Sequence, residues 1–123
     1  MTKNSNDQSN WLQACLGGRS LSAVTFVQDY VQFEFDGPVL NAYVWPAVKL
    51  GEKSLVFKDS GYRDALCEQI GIPVSRAFEQ AGKKIVLCFD GGAAFEISLK
   101  QEDRAGVEAL MLQHCPGEEW NVW

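Results

Sequence analysis

Phe35-Asp36-Gly37 recurs as Phe89-Asp90-Gly91, each time between two apolar runs, so the chain reads as the same β-hairpin written twice. An offset of 54 positions, the step from 35 to 89, sets residues 31–35 against 85–89 and 40–45 against 94–99. Asp-Gly is hairpin chemistry because glycine accepts positive φ at no steric cost. Val31, Phe33 and Phe35 alternate with Gln32, Glu34 and Asp36, the period of two that lays one strand face on a core. Residues 85–89 are apolar on both faces, which predicts a central, doubly covered strand.

The remaining elements follow from caps, breakers and spacing. A short helix is expected at the start, with Ser9 or Asn10 as cap, Trp11, Leu12, Cys15 and Leu16 on one face, and Gly17-Gly18 as the stop. Strands follow over 21–27 and 30–35, then 39–48, where Pro46 removes a ladder donor and marks an edge or a bulge. A short strand over 54–57 leads to a helix capped by Ser60 or Asp59, with Tyr62, Leu66 and Ile70 at helical spacing. Residues 74–81 suit a helix turn or a strand, and the repeat decides for the strand. After strands at 85–89 and 94–99, a last helix is expected from Glu102-Asp103, carrying Val107, Leu110, Met111 and His114 on one stripe up to Cys115-Pro116-Gly117. Trp120, Val122 and Trp123 should then dock as a short strand or tail. The fold class is α+β: a mainly antiparallel sheet from two β-meander-plus-helix halves, helices packed on one face. Residues 1–10 are expected as a disordered polar lead-in and 11–123 as a single α+β domain.

A chain of 123 residues can bury roughly two-thirds of its unfolded surface in one core. Its 46% hydrophobic and 22% charged residues are those of an ordinary globular protein. No stretch reaches the roughly 20 apolar residues of a bilayer helix, and the polar first ten residues lack a secretory apolar run. A soluble, cytoplasmic protein without a membrane role is therefore expected. In a reducing cytosol Cys15, Cys67, Cys88 and Cys115, none at metal-knuckle or redox spacing, read as buried free thiols. The net charge of −5 and a single adjacent basic pair, Lys83-Lys84, make nucleic acid a poor partner.

Nothing in the sequence carries a catalytic, metal or cofactor signature. His114 is the only histidine, and its neighbour Cys115 cannot face it from a helix, because adjacent residues point about 100° apart. Asp36 and Asp90 are explained by turn chemistry. Asp59, Arg63 and Asp64 around Tyr62 are explained by capping and surface charge. Gly17-Gly18 and Gly91-Gly92 lack phosphate-loop spacing. Core packing is the simpler account of Trp11 and Trp45, whereas Trp120 and Trp123, beside Glu118-Glu119, suit a partner surface equally well.

Phe35-Asp36-Gly37, the run 59–67 (DSGYRDALC), Ile97-Ser98-Leu99 and Glu108-Ala109 together resemble small uncharacterised bacterial α+β proteins, several of which look like immunity proteins of toxin systems. The likeness covers most of residues 19–123 and implies a bacterial cytosolic origin and a non-enzymatic role. The expectation is a binding protein that engages a protein partner or a second copy of itself, with Glu118, Glu119, Trp120 and Trp123 as the partner-binding residues. The alternative is a small-molecule binder or enzyme with a pocket between sheet and helices lined by Tyr43, Trp45, Tyr62 and His114.

Overall fold

The protein is described by a computed structural model over residues 8–117 and 120–123. In chain order its elements are α1 (Ser9–Leu16), β1 (Ala23–Phe26), β2 (Val31–Glu34), β3 (Val39–Ala42), β4 (Ala47–Leu50), β5 (Lys53–Leu55), α2 (Tyr62–Cys67), β6 (Val74–Gln80), β7 (Lys84–Phe89), β8 (Ala93–Ser98), a 3-10 turn (Gln101–Asp103), β9 (Leu110–Gln113) and β10 (Asn121–Val122). The class is α+β and the pairing antiparallel, as the alternation implied. The strands divide between two five-stranded sheets, ordered β10-β9-β3-β2-β1 and β5-β4-β8-β7-β6. Each sheet is a three-strand meander, β1-β2-β3 or β6-β7-β8, extended at its third strand by a hairpin that follows the other meander in sequence.

Register places the alternating apolar residues inward. Val31 faces Ala42 and Phe33 faces Leu40 across β2 and β3, while Leu87 faces Phe95 across β7 and β8. These inner faces share one core, in which Phe33, Phe95, Ile85, Leu87 and Ile97 are fully buried and the Phe33 and Phe95 rings meet at 5.1 Å between the sheets. Burying each such side chain contributes about 1.5–3 kcal/mol. Where the sheets come together, residues 18–21 and 71–74 run antiparallel, bridged at Ser20 and Pro73, with Gly18 N–H donating to Val74 O at 2.7 Å and Val74 N–H to Arg19 O at 2.8 Å.

The expected strand over 39–48 is two strands. β3 ends in the first sheet, the link containing Pro46 crosses over, and β4 joins the second. Proline cannot donate to the ladder, so the break falls where a strand must leave its sheet. The two Asp-Gly turns differ in detail: Asp36 and Gly37 take φ of 54° and 131°, whereas the second turn places the left-handed conformations on Gly91 and Gly92.

The C-terminal helix expected from Glu102-Asp103 is absent. Residues Gln101–Asp103 make one 3-10 turn, and Leu110–Gln113 form β9, paired to β3 from Leu110↔Ala42 to Gln113↔Val39. The run Leu110-Met111-Leu112-Gln113 alternates as well as it fits a helix stripe, and the open edge of β3 settles the choice. Leu110 and Leu112 are buried, while Val107, assigned to the same stripe, is 85% exposed. Ile70, expected on the stripe of α2, lies beyond its end and is exposed, and the residue before the first turn is Gly61 at φ 84° rather than a capping Ser60 or Asp59. Asp59 instead accepts the Val56 N–H at 2.8 Å.

The reading of four free thiols is also overturned: Cys15 and Cys115 form a disulfide, with Cα atoms 5.3 Å apart and 100 residues between them. That separation leaves no spacing signal, since connectivity is set by the fold. The bond ties the end of α1 to the end of β9. Ser9 makes no cap; its hydroxyl accepts the Glu79 N–H at 2.9 Å, and Gln13 Oε1 accepts the Ala77 N–H at 2.8 Å. α1 thus satisfies donors on the free edge of β6, which would otherwise template foreign strands.

Candidate functional site

The partner-binding residues named from the sequence separate in the structure. Trp120 is 63% exposed at the entry to β10. Trp123 turns inward, 6.2 Å from the Trp11 ring, and its Nε1–H donates to Glu79 Oε1 at 3.2 Å. It is part of the core margin. Glu118 and Glu119 lie outside the described residues. Glu79 is itself buried and also accepts the backbone N–H groups of Gln8 and Gly82, each at 3.2 Å, so one carboxylate holds the start of α1, the β6–β7 turn and the last residue together.

The pocket expected from Tyr43, Trp45, Tyr62 and His114 does not assemble. Tyr62 is buried in the core, its hydroxyl donating to Pro46 O at 2.5 Å, and burial pushes its phenol far above the ordinary value. His114 is exposed in a left-handed turn at φ 65°. Its neighbour Cys115 is bonded to Cys15. Cys67 is free but exposed rather than buried as expected, and Cys88 is half-buried; partial desolvation and then the Asp64 carboxylate push the Cys67 thiol up, the reverse of an activated nucleophile. Among the described residues no three His, Cys, Asp or Glu side chains gather as a metal-binding group.

Tyr43 and Trp45 each line a different open cleft. Trp45 stacks flat on Phe57, with centroids 4.3 Å apart, and walls a cleft of about 550 Å3 on the second sheet. Lys83, Lys84 and Lys100 border it with Glu96 and Asp103. Lys84 is paired to Glu96 at 2.9 Å, and Ser98 donates to Asp103 at 2.5 Å, leaving a mixed rim.

The second cleft, of about 440 Å3, lies at the end of the first sheet and is lined by Asp29, Tyr30, Tyr43, Gly106, Val107 and Glu108, with Ala105. Its construction follows from register. Val31 and Ala42 are paired and point into the core, so by alternation Tyr30 and Tyr43 point outward beside each other, their rings 5.5 Å apart and tilted by 60°. The loop before β9 folds alongside because Tyr43 N–H donates to Ala109 O at 2.8 Å. Arg104 fixes that loop, its guanidinium donating to Leu99 O at 2.7 Å and to Val107 O at 2.8 Å. Burial first, then the Glu108 carboxylate and the Tyr30 phenol, push the Tyr43 phenol up; a hydrogen bond with Asn41 acts weakly the other way. The charged groups lining this cleft are carboxylates only. The sequence leaves Asp29 between the strands expected over 21–27 and 30–35 and Tyr30 at a strand start, and assigns neither to a site. The available signal was a tyrosine just before one strand and another just after its antiparallel neighbour.

No family model, no curated protein and no solved structure matches this chain. No helix among the described residues is long and apolar enough to cross a membrane.

Proposed function

We propose that the protein is a non-enzymatic binding protein that acts through a surface on its first sheet, and that its partner is a basic protein. The observation that carries this reading is the cleft of Tyr30, Tyr43, Asp29 and Glu108, bordered by Val107 at 85% exposure. Exposed aromatic and aliphatic groups supply the contact area of binding hot spots, and a single sign of flanking charge steers a partner of the opposite sign. Exposed Trp120 stands apart from the cleft, at the Gln113 end of the β9–β10 hairpin, with Glu118-Glu119 adding acidic charge next to it in sequence. In the immunity-like version of the reading the partner is a basic toxin of the same bacterium, held in a stoichiometric complex.

The test is capture by immobilised protein at low and at high salt, comparing the wild type with Asp29→Lys/Glu108→Lys and with Glu118→Lys/Glu119→Lys. A basic protein retained at low salt, released at high salt and lost with the reversed cleft is the expected result. Retention indifferent to salt and to both reversals overturns it.

The mixed cleft beside Trp45 favours a second reading, a small-molecule pocket, because its size suits a ligand and Trp45 offers an aromatic wall. Cytoplasmic residence belongs to the immunity-like reading, and the Cys15–Cys115 bond weighs against it, since cytosolic thiols are kept reduced. Alkylation in freshly opened native cells decides: four labelled cysteines place the chain in a reducing compartment, two in an oxidising one.

A further inference from the structure

We infer that the cleft lined by Tyr30 and Tyr43 receives one arginine side chain of the basic partner. This rests on the surface reading above and adds the chemical group that is gripped. The two phenol rings pack on each other, centroids 5.5 Å apart and tilted by 60°, and together line one aromatic wall of the cleft; a cation within about 6 Å of a ring face is attracted to it. Asp29 and Glu108 lie in the same lining, which contains no lysine, arginine or histidine; Arg104, outside that lining, is bonded to the Val107 and Leu99 carbonyls. Tyr43 stays a neutral phenol at physiological pH, because burial and the Glu108 carboxylate both oppose its ionisation. The site therefore offers π-faces and carboxylates together, the two groups that recognise a cation.

Arginine fits better than lysine on physical grounds. A guanidinium is flat enough to stack on a tilted ring, more weakly hydrated than an ammonium, and able to bond a carboxylate through two N–H groups at once. Its aliphatic stem needs apolar cover, and Val107 supplies a lip at the cleft. At Gly106 nothing lies within 4 Å of where a Cβ would stand, so the backbone there leaves open space.

The experiment uses the full chain with carbon-13-labelled tyrosine rings and three capped peptides, identical except for a central arginine, lysine or citrulline. Citrulline keeps the shape of arginine and removes its charge. The arginine peptide is expected to shift the Tyr30 and Tyr43 ring resonances saturably, with the citrulline peptide at least about tenfold weaker, a difference of about 1.4 kcal/mol. Glu108→Gln is expected to weaken the arginine peptide severalfold while leaving the thermal midpoint unchanged, and Tyr43→Leu to do the same through loss of a π-face. Equal shifts with arginine and citrulline, or saturable shifts confined to other tyrosines, overturn the inference. Salt-sensitive capture of a basic protein without these ring shifts would sink the arginine site and leave the surface reading standing. Ring shifts without any basic protein captured would do the opposite.

Discussion

At the scale of single residues, two buried polar groups hold places that apolar side chains could not. Tyr62 was legible as a core position from its spacing with Leu66, but not as a donor, because Pro46 O becomes its acceptor only once the chain has crossed between sheets. Tyr62→Phe leaves that buried carbonyl unpaired and is expected to cost about 1–2 kcal/mol in denaturant unfolding. The sign of its pH dependence follows from the raised phenol. Below pH 10.0, its ordinary value, folded and unfolded chains both hold the proton and the contribution is complete. Above it only the unfolded chain ionises, so stability should fall by about 1.4 kcal/mol per pH unit from this residue, a slope that Tyr62→Phe removes. Glu79 makes the same point more sharply. It sits in an alternating strand pattern as an ordinary solvent-facing glutamate, yet it is 6% exposed and accepts three N–H groups. Glu79→Ala should destabilise by about 1–3 kcal/mol by orphaning those donors. Unchanged thermal unfolding of this variant would contradict its role as a joint.

At the scale of elements, the sequence was most informative where one pattern was consistent over a whole strand, as in β2 and β7, and least where a short apolar run suited two periods. Residues 110–113 satisfy a helix stripe and a strand alternation alike, and only the unpaired edge of β3, built about 70 residues earlier, selects the strand. Local propensity contains no term for that edge. The same limit hid the disulfide, whose two ends belong to elements at opposite termini of the chain. α1 has eight residues, no side-chain cap and no acidic residue in its first turn, so on its own it is a marginal helix. Its place depends on the edge of β6, on Glu79 and on Cys115. Closing a loop of 100 residues stabilises by about 4–5 kcal/mol in the chain-entropy account. Cys15→Ser/Cys115→Ser, or reduction of the wild type, should therefore lower the thermal midpoint markedly. Hydrogen exchange should show the α1 amides and the β6 amides Ala77 and Glu79 losing protection before the β7 amides do. Equal loss across β6 and β7 would mean that the bridge does not hold α1 in place.

At the scale of the whole molecule, what the sequence left unwritten was the exchange of hairpins between halves. Two Asp-Gly turns and their flanking strands made both meanders legible, but β4-β5 and β9-β10 complete the sheet of the opposite meander, and nothing local encodes a partner so distant. The candidate cleft inherits that property. Asp29, Tyr30 and Tyr43 come from the first meander, whereas Val107 and Glu108 arrive on the loop leading to β9, so the local sequence held one wall of the site and carried no sign of the other. The same exchange predicts how the protein folds. A chain cut between Ser60 and Gly61 gives residues 1–60, a meander carrying the other sheet's hairpin, and residues 61–123, the reciprocal piece. Each would leave β3 or β8 as an open edge and expose an inner face, and pieces of about 60 residues are marginal even when their sheets are complete. Each fragment alone should show no near-ultraviolet circular dichroism from its aromatic rings. Mixed at equal amounts under oxidising conditions, they should recover the spectrum of the intact chain as Phe33 meets Phe95 and Trp11 meets Trp123. The intact chain should correspondingly unfold in one transition, with fluorescence and far-ultraviolet signals coincident. A fragment that folds by itself to a native aromatic spectrum would show that one sheet closes without its borrowed hairpin, and the two halves would then be neighbouring units rather than one interlocked core.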